Sequence, residues 1–209
     1  MGHIVLLGDS IFDNASYVPG ELPIIEQLRQ ALPSAWDASL LAIDGDTAED
    51  VAIQISRLPP QATHVFVSVG GNDALLHAQI LDESAGTVGH ALELLDQLQS
   101  RFRLSYRAML KSVFRVRKPV TLCTVYDTIP GITVPERAAL AGFNEVILRE
   151  AVLSGVPLID LRIVCDGPED YSRLSSIEPS AAAGLKIVKL IVEIAQNHPF
   201  EKSRTVIYT

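Results

Sequence analysis

Short apolar runs rich in β-branched residues punctuate the chain at residues 3–7, 39–43, 64–69, 120–125 and 156–160. Their length and composition predict five buried strands. Between them, apolar positions recur at helical spacing. Residues 21–32 place Leu22, Ile25, Leu28 and Leu32 on one side and stop at Pro33. Residues 47–58 open on Thr47 with Asp50 three positions on, and stop at Pro59-Pro60. The third connection is the long one, from residue 70 to residue 119. In it Val88, Leu92, Leu95, Phe102, Tyr106, Met109 and Val113 form one helical stripe. The glycines at 86 and 89 separate a short helix at 73–80 from a long one. Residues 135–153 and 180–196 predict two further amphipathic helices.

Strands alternating with helices argue for a parallel sheet covered on both faces, a three-layer α/β/α architecture. Right-handed crossovers leave few topologies. The expectation for five strands is the flavodoxin-like order 2-1-3-4-5. Residues 197–209 have no assigned element and read as a C-terminal tail, with 205–208 open as a short edge strand or a docking segment.

The chain has 209 residues, 48% of them hydrophobic, which suits one well-buried domain spanning 1–209. A net charge of -8 and the absence of a Lys/Arg block argue against nucleic acid or an anionic membrane as partner. No apolar run approaches the ~20 residues that span a bilayer. No leader pattern is read at the start, so the default expectation is a cytoplasmic protein. Cys123 and Cys165 form no metal-binding motif, and the expectation is neither cofactor nor metal.

The C-terminal ends of parallel strands share one edge, where this architecture binds ligands. Here they run into Gly8-Asp9-Ser10, Asp44-Gly45-Asp46-Thr47, Gly70-Gly71-Asn72-Asp73 and Tyr126-Asp127, with Ile177-Glu178-Pro179-Ser180 opening the last helix. Two readings stand for Ser10: a residue held out toward substrate, or part of an Asp-Ser turn. Taken alone, Gly45 and Asn72 read as ordinary turn residues.

The ordered set Gly8-Asp9-Ser10, Gly45, Gly70-Gly71-Asn72-Asp73 and Glu178-Pro179-Ser180 resembles the SGNH hydrolase superfamily, the GDSL esterases and lipases. The resemblance runs from the first strand to the last helix. It implies Ser10 as the nucleophile that forms an acyl-enzyme. It implies the backbone N–H groups of Ser10 and Gly45, with the Asn72 side-chain amide, as the oxyanion donors. The implied substrate is a small-molecule acyl or lipid ester.

The family's last motif is Asp-x-x-His, and its histidine is the general base. This sequence has Ser175 and Glu178 at those positions. An ordinary Glu, near 4.3, is a weak base at neutral pH; burial or a neighbouring carboxylate raises it. Asp9, Asp13, Asp46, Asp73 and Asp127 are the candidate neighbours. The competing role for Glu178 is to cap the last helix. His77 and, more remotely, His90 are the substitute bases to consider; His3, His64 and His198 fall at the wrong ends of their elements.

The functional expectation is a serine-dependent ester hydrolase with an atypical base. The alternative is an inactive relative that keeps the pocket as a binding module. A third idea, Mg²⁺ held by Asp9, Asp44, Asp46 and Asp73, competes with solvated loop acids. Residues 74–89 and 127–133 are expected to shape the pocket, with Phe12, Leu75, Leu76, Tyr126 and Ile129 as apolar walls.

Overall fold

A computed structural model describes residues 2–209. Its strands are β1 (Gly2–Gly8), β2 (Trp36–Leu40), β3 (His64–Ser68), β4 (Val120–Cys123), β5 (Leu158–Ile159) and β6 (Ile207–Tyr208). All pair in parallel, in the order β2-β1-β3-β4-β5-β6. The expected 2-1-3-4-5 order is present, and a sixth strand extends it. β6 comes from the unassigned tail, which adds two residues beside β5. Five strands is therefore corrected to six.

The helices are α1 (Ile24–Ala31), α2 (Val51–Ile55), α3 (Gly71–Leu75), α4 (Val88–Arg115), α5 (Val134–Ser154), α6 (Leu161–Val164) and α7 (Ala181–Asn197). Side chains alternate across a strand, so each central strand feeds both layers. Ile4, Leu6 and Phe66 pack into one core with α1 and α7. Val5, Leu7, Val65 and Val67 pack into the other with α2, α4 and α5. Such two-sided burial is why β1 reads as a continuous apolar run.

β2 begins three residues earlier than expected, at Trp36, because it is the edge strand. One side of it is unpaired, so polar residues such as the exposed Asp37 and the half-exposed Ser39 suit it, and the more apolar stretch after Leu40 is loop. The α4 stripe also divides. Phe102, Tyr106, Met109 and Val113 are buried, whereas Val88 and Leu92 are 78% and 60% exposed. The first turns of α4 stand away from the sheet. Leu22, outside α1, is likewise exposed.

Two buried side-chain amides finish strands where the ladder stops. Asn144 on α5 accepts from the Val125 N–H and donates to the Val125 carbonyl, both at 2.8 Å. Gln54 on α2 does the same for Gly8, both at 2.7 Å. An amide supplies one acceptor and two donors, so it imitates a neighbouring strand. No helix among the described residues is long and apolar enough to cross a membrane.

Candidate active site

β1 ends at Gly8, whose φ is +126° and whose Cβ, if it had one, would lie 1.8 Å from the Ser68 carbonyl oxygen. Only glycine allows that approach. The next N–H, of Asp9, donates to the same Ser68 oxygen at 3.1 Å. The Asp9 carbonyl then accepts from Phe12 and Asp13, which curls the chain into a turn with Ser10 in it. Ser10 is 7% exposed. Its backbone N–H has no hydrogen-bond partner among the described residues.

Gly45 turns the loop after β2 with φ +88° and has open space where a side chain would be. Its N–H is also without a partner among the described residues, while those of Asp44 and Asp46 are taken by Asp13 and Ile43. Asn72, in the first turn of α3, donates one amide hydrogen to the Asp46 carbonyl at 3.0 Å. Its second amide hydrogen has no acceptor among the described residues.

Glu178 is 4% exposed and sits before α7 on a loop pinned from several sides. Its carbonyl accepts from the Ser172 N–H at 2.8 Å, and the Ser172 hydroxyl donates to the Tyr17 carbonyl at 2.6 Å. The buried Tyr126 hydroxyl donates to the Ile177 carbonyl at 2.6 Å. Glu178 does not cap α7. That role belongs to Ser180, whose side chain accepts from Ala183.

Burial pushes the Glu178 carboxyl up to about 7. The Ser10 hydroxyl faces it as a donor and offsets part of that rise, and Asp44 adds to it by like charge. The two do not form a bond of good geometry in the resting site, and Glu178 Oε2 is buried without a partner among the described residues. Slack of this kind is common before substrate binds. The carboxylate that raises Glu178 is Asp44, which was not among the five expected; of those five, Asp9 meets Glu178 as a like charge and is raised by it. Burial, together with Glu178 and Asp73, also raises Asp9 well above the ordinary range.

Ser10, Asn72 and Glu178 line one cavity of ≈ 280 Å³. Leu75, Leu81, Leu98, Ile129, Leu140 and Phe143 supply much of its wall, and neither Arg nor Lys contributes. Gly45 does not line it; it is tied to Asn72 through the adjacent Asp46. Tyr126 is a wall as expected. Phe12 is instead fully buried in the core, and Leu76 is 66% exposed outside the cavity.

His77 also lines the cavity, but its exposed ring bonds neither Ser10 nor Glu178. His90 is exposed, and its ring is held by the Ala85 carbonyl at 2.9 Å. The four aspartates considered for Mg²⁺ have separate partners: Ile11, Tyr17, Gln54 and Ala48. Among the described residues they do not gather into a ligand set. Gln54, Tyr126 and Tyr17 contribute to the site through bonds that local sequence did not disclose. The available signal was Gln54 itself, a polar residue on the apolar face of Val51, Ile55 and Leu58.

A family model, the GDSL-like Lipase/Acylhydrolase family, matches residues 6–183. Solved structures share the fold at low identity. A lipase, Lip_vut3, from a goat rumen metagenome is 16% identical with a TM-score of 0.74, over 96% of this chain and 100% of that one. A member of the lipolytic G-D-S-L family from Veillonella parvula is 13% identical with a TM-score of 0.68, over 94% and 100%. Phospholipase A1 from Streptomyces albidoflavus is 18% identical with a TM-score of 0.63, over 91% and 97%. No curated protein matches the chain.

Proposed function

The chain belongs to the GDSL-like lipase/acylhydrolase family, and on that premise we propose that it is a serine-dependent ester hydrolase in which Glu178 is the general base. The observation that carries the reading is the Glu178 carboxyl, buried beside the Ser10 hydroxyl and raised to about 7. A base is most effective when its pKa lies near the working pH. An ordinary glutamate falls short of that; this one does not.

In the first step Glu178 takes the Ser10 proton as Oγ attacks the ester carbonyl carbon. The carbonyl oxygen becomes an oxyanion. The free N–H groups of Ser10 and Gly45 and the free amide hydrogen of Asn72 are the donors available to it. Collapse breaks the bond to the alcohol, which leaves with the proton returned from Glu178. Water then attacks the acyl-enzyme by the same route, and Ser10 recovers its proton as the acid departs.

The apolar, cation-free lining favours an uncharged acyl group. Burial, with Glu178 and Asp73 nearby, holds the Asp9 carboxyl well above the ordinary carboxylate range.

Labelling with a phosphonate ester probe tests the reading. The wild-type protein is expected to take one phosphonyl group, at Ser10, and Ser10→Ala to take none and lose ester turnover. A wild-type protein that is not labelled, yet binds esters, would instead be the inactive binding module.

A further inference from the structure

We infer that Gln54 is a positioning residue that fixes the oxyanion donors relative to Ser10 through Asp46; the inference rests on the hydrolase reading above. Gln54 is 1% exposed and uses its whole amide. Oε1 accepts from the Gly8 N–H at 2.7 Å. Nε2 donates to the Gly8 carbonyl at 2.7 Å and to Asp46 Oδ2 at 2.7 Å. The orientation of the amide is set by Gly8, which offers one donor and one acceptor.

Through its two partners, Gly8 and Asp46, Gln54 bears on all three oxyanion donors. Gly8 is two residues before Ser10, so its placement fixes where the Ser10 N–H points. Asp46 follows Gly45, so holding the Asp46 side chain fixes the Gly45 peptide. The Asp46 carbonyl accepts from Asn72 Nδ2 at 3.0 Å, which orients the third donor. One buried side chain on α2 therefore ties together β1, the loop after β2 and the start of α3. The loop backbone also joins β1 through the Ile43 N–H on the Gly8 carbonyl at 3.0 Å and the Leu41 and Ala42 N–H groups on the Leu6 carbonyl at 2.9 and 3.0 Å; the Gln54 amide is the side-chain link between Gly8 and Asp46.

Oxyanion stabilisation depends on donors preset to where charge develops, so small misplacement costs rate and leaves substrate binding nearly unchanged. A purely structural glutamine would lower stability and spare kcat in the surviving folded protein.

The test uses Asp46, which is half-exposed and can be changed with little risk to folding. Asp46→Ala is expected to lower kcat about tenfold with KM within about twofold. Asp46→Asn keeps an acceptor for Gln54 Nε2 and is expected to recover most of that loss. In an Asn72→Ala background, Asp46→Ala is expected to cost less than about threefold, because a donor it orients is already gone. Gln54→Met, which removes all three bonds at similar volume, is expected to exceed Asp46→Ala in its effect on kcat. An unchanged kcat in Asp46→Ala, or a change confined to KM, overturns the inference, as does an Asn variant no better than Ala.

Ser10→Ala run in parallel separates the two claims. Turnover that survives it defeats the hydrolase reading, whereas turnover lost in Ser10→Ala but untouched in Asp46→Ala defeats only the positioning role. Amide exchange across residues 43–48 gives a reading that needs no turnover. It is expected to quicken about tenfold in Asp46→Ala as a local opening becomes easier, and no change would overturn the role.

Discussion

The Ser10 hydroxyl faces the Glu178 carboxyl, and that contact opposes the burial which pushes Glu178 up to about 7. The two residues come from opposite ends of the chain and meet because β1 and the loop before α7 share an edge of the sheet. Replacing Glu178 by Gln keeps the shape and removes the base. Turnover of a neutral ester is expected to fall by ~10²–10⁴, the usual worth of general-base catalysis. Steady-state kcat at pH 8 checks it, with KM little changed.

The same buried carboxyl makes stability depend on pH in an unusual direction. Glu178, at about 7, and Asp73, at about 6, keep their protons in the folded state where the unfolded chain has lost them. Asp9 does so too. A raised carboxyl contributes fully below its unfolded value and loses that contribution as pH climbs through the folded one. Thermal unfolding is therefore expected to move to lower temperature between about pH 4 and pH 7. Glu178→Gln should be more stable than wild type by about 2 kcal/mol at pH 8 and close to it at pH 4. A wild-type midpoint that rises steadily across this window would refute the account.

Asn72 makes one side-chain hydrogen bond in the protein, to the Asp46 carbonyl, and is half-exposed. Asn72→Ala should therefore cost about 1 kcal/mol or less of stability. As a lost oxyanion donor it should lower kcat by ~10²–10³. A denaturation curve and a kcat measured on the same preparation separate the two effects.

Gly8 and Gly45 both have positive φ but differ in their surroundings. Gly8→Ala drives a Cβ to 1.8 Å from the Ser68 oxygen, so folded protein is not expected. Gly45→Ala meets nothing within 4 Å. Its cost should be the left-handed strain alone, about 1–2 kcal/mol, with a larger proportional loss in kcat as the peptide shifts. Soluble yield and unfolding midpoints of the pair provide the check.

Ala139 lines the apolar cavity beside Leu140 and Phe143. Ala139→Phe should fill part of the ≈ 280 Å³ and penalise long acyl groups more than acetyl. Comparing octanoyl and acetyl esters of one alcohol, the ratio of kcat/KM is expected to shift toward acetyl by about tenfold or more.

Much of this was legible in the sequence where local signals suffice. Central strands buried on both faces are continuous apolar runs, which is why β1, β3 and β4 stand out. Ser10, Asn72 and Glu178 were marked by their places after strands and before the last helix, and the fold brings them to one cavity. What local pattern hid was set by tertiary context. β2 is a half-exposed edge, and β6 is two residues whose pairing depends on a distant strand. Val88 and Leu92 carry the helical period but have no layer to pack against. Gln54 sits on an apolar face, and only the partners at Gly8 and Asp46 explain why a polar residue belongs there.

The central claim is that Glu178 is the base for Ser10, and the pH dependence of kcat/KM on a neutral ester tests it most directly. The account predicts a rising limb governed by one ionisation near 7, as Glu178 loses its proton, and loss of that limb in Glu178→Gln. A limb at an ordinary carboxylate value, or one that persists unchanged in Glu178→Gln, would contradict it.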